Sequence, residues 1–286
     1  MGSSFQSFSV RNLIRKYVGL VLKTVKLKLG FLPVSIILFG SAVKGGLINK
    51  LSDIDVLIIV DECVNAEQRK RLTAAMTGVQ NFFFNAASSS LINRLLYFFE
   101  TGTGMFKSFF ICSEKDLLTA CFPRIFNVNP ALSKLLVPER LILNSVFSNY
   151  KIVYGKEYDL KNMRKPFGFF QIVKSFNLCS LLYLFFIIVN CFKRVWRYLY
   201  EAVKWSMLNC YFYLTGRCVK VKDTIPFFEK ILKNNVLRKL NASKNSNFNF
   251  TVNDYWACFK LIFKLHFHAS KLFLKKTRQH SFPRVL

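Results

Sequence analysis

The chain has few acids and very few histidines: 15 Asp or Glu and 3 His in 286 residues, against 42 Lys or Arg. His266 and His268 stand two apart in a helical pattern, so they diverge by about 200° and do not form a chelating pair. With no zinc-ligand spacing elsewhere, a zinc enzyme is excluded. There is no P-loop lysine motif and no internal repeat. The eight cysteines include no CxxC pair, and the opening MGSSFQSF has no apolar leader. A disulfide framework is therefore excluded, and a reduced, cytoplasmic setting is expected. Cys63, Cys112 and Cys179 lie beside apolar segments and read as small core residues.

What is present is apolar bulk and positive charge. Hydrophobic residues make up 52% of the chain and 32 residues are Phe, a composition that buries a core. The net charge of +27 is uneven: residues 1–150 carry 17 Lys/Arg against 9 Asp/Glu, and residues 151–286 carry 25 against 6. Three readings suit the basic C-terminal part: contact with nucleic acid, contact with an acidic membrane surface, or a solvated basic face.

The chemistry concentrates in residues 36–60, IILFGSAVKGGLINKLSDIDVLIIV. An apolar strand runs into Gly40-Ser41, a short loop follows, and a second strand opens with Asp53 and Asp55. Strand alternation puts these two carboxylates on one face and turns Ile54 into the core. Acids entering an apolar strand are costly unless paired or bound to metal. Facing a glycine turn rich in backbone N–H groups, they suit Mg²⁺ and a polyphosphate.

These residues resemble the motif of the nucleotidyltransferase superfamily, which includes DNA polymerase beta and the minimal and kanamycin-type nucleotidyltransferases. Gly40-Ser41, Gly45 and Ser52-Asp53-Ile54-Asp55 match it, with a loop about one residue longer than the commonest form. The resemblance implies transfer of a nucleoside monophosphate from an NTP, ATP above all, to an acceptor, with release of pyrophosphate. It implies that Asp53 and Asp55 hold Mg²⁺ or Mn²⁺, that Gly40 admits the phosphates, and that Ser41 donates to a phosphate oxygen. Ser52 supports the start of the strand.

The resemblance also implies a third carboxylate near the start of a later strand, where this chain has Lys107 and Ser108. Glu100, before that strand, is the candidate for the role. Glu114 and Asp116 follow the strand, and Asp61 and Glu62 lie at least about 20 Å from Asp53 at roughly 3.3 Å per residue. The segment KIVYGKEYDL at 151–160 is similar to the strand-Tyr-Gly close of the catalytic domain in many members.

The wider pattern predicts an α+β fold: a small mixed sheet with helices packed on it, then an all-helical C-terminal domain. The expected divisions are an N-terminal helix at 1–32, a nucleotidyltransferase-like domain at 33–162, and a helical domain at 163–286. Strands are expected at 34–39, 53–60 and 106–112, and from Lys151. In the first part, helices are expected at 10–29, 67–75 (capped by Asn65), 82–99, from Ser113, and at 133–148, with a loop at 123–130. Beyond Pro166, helices are expected at 167–200, 201–216, 225–240 and 251–275. Gly216 serves as a C-cap, Asp223 or Thr224 as an N-cap, and Pro226 lies in a first turn. Residues 176–192 are 17 in a row without charge, the lower edge of membrane-spanning length, and read as a buried bundle helix.

Three functional readings follow. The first is an active Mg²⁺-dependent transferase acting on RNA, protein or a small molecule. The second is a nucleotide-binding protein of the same fold without turnover. The third is a basic nucleic-acid or membrane-binding module on that scaffold.

Overall fold

A computed structural model describes residues 2–43, 54–84, 107–190, 196–232 and 252–280. The chain divides into two compact units, one formed by residues 1–133 and 146–164, the other by 134–145 and 165–286.

The first unit is built on four strands: β1 (Ser35–Phe39), β2 (Asp55–Val60), β3 (Phe109–Ser113) and β4 (Lys151–Gly155). Their order is β3-β2-β1-β4. β1 runs antiparallel to both neighbours and β2 parallel to β3, so the sheet is mixed as expected. β1 is buried along its whole length and β2 along all but its first residue, which is why both read as continuous apolar runs.

On one face, Ile36, Leu38, Val56, Ile58, Phe109 and Ile111 pack with α1 (Gly2–Leu29) and α2 (Ala66–Phe84). Tyr17, Val21 and Val25 of α1 and Leu72 and Met76 of α2 fill that layer. Leu27 of α1 is 75% exposed because it falls off the 17-21-25 stripe. Asn65 starts α2 as expected: its Oδ1 accepts from the Gln68 N–H (2.9 Å), and Gln68 Oε1 accepts from the Asn65 N–H (3.0 Å). The other face carries an aromatic cluster in which Phe110 meets Phe126 (4.9 Å) and Phe39 (6.0 Å).

Several local expectations are corrected. β2 begins at Asp55 among the described residues, and β3 begins at Phe109, later than the run 106–112 suggested. The expected loop at 123–130 contains the short helix α4 (Phe122–Ile125), after α3 (Glu114–Leu118). The expected helix at 133–148 is two, α5 (Pro130–Leu136) and α6 (Glu139–Ser148), separated at Pro138, whose ring and missing N–H oppose continuation. Cys63 is exposed in the turn after β2, where its N–H donates to Asp61 Oδ1 at 2.8 Å. Cys112 and Cys179 are buried.

The second unit is helical: α7 (Phe169–Asn190), α8 (Trp196–Thr215), α9 (Val221–Leu232) and α10 (Val252–His280). α7, α8 and α10 pack against one another, with Leu178, Leu182, Met207, Leu261 and Leu265 buried. Of the expected helices at 167–200 and 201–216, residues 169–190 and 196–215 are helical, and residues 191–195 lie outside the described residues. Among the described residues no helix is long and apolar enough to cross a membrane. Gly216 ends α8 at φ 66°, its N–H on Phe212 O at 2.7 Å. α9 starts at Val221, ahead of the expected caps: the Asp223 N–H donates to Lys220 O, the Thr224 hydroxyl turns back to Val221 O, and Pro226 lies inside the helix.

His266 is 3% exposed. Its Nδ1 donates to Ile262 O (2.9 Å), so Nε2 accepts from the Ser175 hydroxyl (3.0 Å), and Asn209 Nδ2 donates to that same hydroxyl oxygen (2.9 Å). Burial pushes the imidazole pKa down to about 4.

Candidate active site

The site forms where β1 leaves the sheet and β2 enters it. Phe39 pairs with Asp55 in the antiparallel register, so the residue after Phe39 turns across the Asp55 carboxylate. That residue is Gly40, at φ 66°. A Cβ on Gly40 would lie 2.0 Å from Asp55 Oδ2 and 3.0 Å from its Cγ. Glycine is required twice over, by the left-handed backbone and by the carboxylate held against its α-carbon. Ser41 follows in the same turn, half-buried, and Ala42 and Val43 tie the turn down by packing on the core.

Ile54 is fully buried in the layer beneath α1 and α2, with Val56 and Ile58, and Asp55 is half-buried. The period of two therefore sends Asp55 to the opposite face of the sheet from those helices. Of the sequence-predicted site residues, Gly40, Ser41 and Asp55 are brought together here. Ser52, Asp53 and Glu100 lie outside the described residues, as does Gly45.

β3 contributes the neighbour on the other side. The Val56 N–H donates to Ser108 O at 2.8 Å, and Val56 pairs with Phe109. One step back along that register places Ser108 beside Asp55. Ser108 is fully buried, and its hydroxyl has no hydrogen-bond partner among the described residues. Lys107, next to it, is half-buried, and burial holds its ammonium pKa below the usual value. In the sequence these two positions stand out only as lacking an acid. Their nearness to Asp55 follows from the parallel pairing, which leaves no local sequence signal.

The other nearby acids belong elsewhere. Asp116 is 5% exposed and pairs with Arg69 (3.5 Å) and Arg124 (3.4 Å). It also forms a capping box with Ser113. Glu114 is bound by Lys156, and Glu62 accepts from the Lys115 N–H at 2.7 Å. All stand at the far end of β3, about 16 Å from Ser108 at roughly 3.3 Å per residue. Among the described residues, no cluster of three or more His, Cys, Asp or Glu is placed to hold a metal ion.

Comparison with known proteins bears on the family and the fold. Residues 20–83 match the family model described as the nucleotidyltransferase domain. No curated protein sequence matches the chain. Among solved structures, the chain is similar to the spectinomycin adenyltransferase AAD(9) of Enterococcus faecialis, determined with ATP and spectinomycin. That match covers 92% of this chain and 99% of the other, at 14% identity and a TM-score of 0.51. At that identity the likeness is one of fold, and it includes the mixed sheet and the helical C-terminal region.

Proposed function

We propose, from the premise that this chain carries a nucleotidyltransferase domain and is a transferase of that kind, that it moves AMP from ATP to a hydroxyl of a small molecule, releasing pyrophosphate. The observation that carries the reading is the Gly40–Asp55 contact: a backbone turn free of Cβ atoms closed against a strand-borne carboxylate. ATP as donor and a small-molecule acceptor are supported by the fold likeness to a protein solved with both kinds of ligand.

The donor set fits a divalent cation. Asp55 is half-buried beside the Gly40 turn, and its carboxylate is a hard oxygen ligand. Asp53 and Asp55 would hold Mg²⁺ or Mn²⁺, which when bound neutralises the triphosphate and the charge that develops in transfer. Gly40 lets the phosphates approach the backbone, and Ser41 donates its hydroxyl to a phosphate oxygen. Ser52 supports the start of the strand, and Glu100 accepts the acceptor's proton.

A second reading, nucleotide binding without transfer, is favoured by one observation: a serine stands beside Asp55 where the family places an acid. Labelled ATP with Mg²⁺ and a panel of hydroxylated small molecules distinguishes the two. Transfer that disappears in Asp53→Ala/Asp55→Ala supports the first. Transfer unchanged in that variant sinks it, and tight metal-dependent ATP binding with no transfer selects the second.

A further inference from the structure

Helix α10 carries a feature that nucleotide transfer leaves unused. Trp256, Phe263, Phe267 and Leu274 follow one another at intervals of seven, four and seven residues. At 100° per residue they fall within about 40° of each other, a straight stripe about 27 Å long. Their exposures are 54, 53, 61 and 48%. The opposite side of the helix buries Cys258, Leu261, Ile262, Leu265 and Ala269, so the core is already served. Four large apolar side chains aligned in water mark an interaction surface.

The stripe has a basic margin. Lys260, Lys264, Lys271 and Lys275 are all exposed and lie along one side of it. The helix has one acid, Asp254, about 160° round from the stripe. On α7, Tyr183 donates to Tyr255 O and packs on Phe259, and the nearby Leu184 and Ile187 are exposed too.

The chemistry of the partner follows from charge and ring geometry. A second copy would set one lysine row against another, in a chain of net charge +27. Single-stranded nucleic acid needs free ring faces for its bases. Here Phe263 and Phe267 stack on each other at 6.0 Å and 11°, and Trp256 stacks on Phe259 with Lys260 over its ring at 5.4 Å. Leu274, Leu184 and Ile187 offer a base nothing. An anionic lipid surface uses every part: aromatic and aliphatic side chains enter the acyl boundary while lysine stems reach back to the phosphates.

We propose that the Trp256–Phe263–Phe267–Leu274 stripe docks this chain on anionic bilayers, with α10 lying in the plane of the interface. The test is co-sedimentation of the full chain with phosphatidylglycerol/phosphatidylcholine vesicles and with phosphatidylcholine alone. Trp256 emission is followed after Trp196→Phe and Trp205→Phe. Binding to the anionic vesicles alone, weakened by salt and accompanied by a blue shift of Trp256, is expected. Phe263→Ser/Phe267→Ser should weaken partition at least about tenfold with unchanged circular dichroism. Each of the four lysines changed to Gln should weaken it about fivefold. The proposal is overturned by absence of binding to anionic vesicles, or by binding that survives the double Phe change. It is equally overturned if a lipid-free dimer, or single-stranded RNA in place of vesicles, is what shields Trp256 from a soluble quencher.

Discussion

The carboxylate of Asp55 rests against the α-carbon of Gly40, so close that a methyl group there would sit 2.0 Å from Oδ2. The contact joins the first residue of the turn after β1 to the first residue of β2. Its consequence for Gly40→Ala depends on which partner yields. The obstructing atoms are the end of a flexible side chain, so Asp55 rotates away and the sheet survives. The cost to stability is that of a left-handed alanine, about 1–2 kcal/mol. Transfer should fall much further, by at least about a hundredfold, because the carboxylate leaves its place. Thermal melting and the rate of label transfer, measured on the same preparation, check both halves. A variant that is unstable yet fully active per folded molecule would refute this.

Gly155→Ala should behave in the opposite way. Its φ is 80°, and a Cβ there would lie 2.0 Å from Val34 O and 2.9 Å from Ser35 Cα, both backbone atoms of the central strand's start. Backbone cannot swing aside, so the β4–β1 pairing itself must open. We expect a loss above about 3 kcal/mol, read as a large drop in the urea midpoint. Residual folded protein should transfer at close to the normal rate.

Asp116, which follows β3 in the sequence, has a structural occupation. It faces Arg69 and Arg124 and closes a capping box with Ser113 while almost fully buried. Asp116→Ala leaves two guanidinium groups without their shared partner and uncaps α3, costing about 3–5 kcal/mol. Both arginines are partly exposed and recover some hydration, which places the result at the lower end of that range. The metal dependence of transfer should not move. A changed Mg²⁺ requirement in this variant would refute that structural assignment.

How far the sequence carried these conclusions depends on the range of the interaction involved. Ile54 inward and Asp55 outward follow from a period of two, which needs no knowledge of the rest of the molecule. Asn65 and Gly216 are local too, since a cap is decided within four residues. Ser108 beside Asp55 is set by parallel pairing between strands more than fifty residues apart. The start of α9 departs from the pattern because Asp223 and Thr224 look like caps, although the Asp223 N–H is already taken by Lys220 O. The burial of His266 is local as well, because it falls on the apolar stripe of Ile262, Leu265 and Ala269.

His266 also supplies a dependence on pH whose sign can be worked out. The neutral ring is satisfied on both nitrogens, by Ile262 O and by the Ser175 hydroxyl that Asn209 steadies. Burial lowers its folded pKa to about 4, against 6.5 for the free side chain. Between those values the unfolded chain binds a proton that the folded chain refuses, so acid favours unfolding. The contribution is intact above pH 6.5, is lost as pH falls toward 4, and is constant below that. Its size is about 3 kcal/mol between pH 7 and pH 4. Carboxylates add their own acid lability, so the informative quantity is a difference. His266→Gln should lower stability at pH 7, through the disturbed Ser175 and Asn209 pairing, yet lose less on acidification than the wild type by about that amount. Urea midpoints at half-unit steps from pH 7 to pH 4 measure both slopes. Parallel slopes in the two proteins would show that the ring titrates alike in the folded and unfolded chains, contrary to its burial.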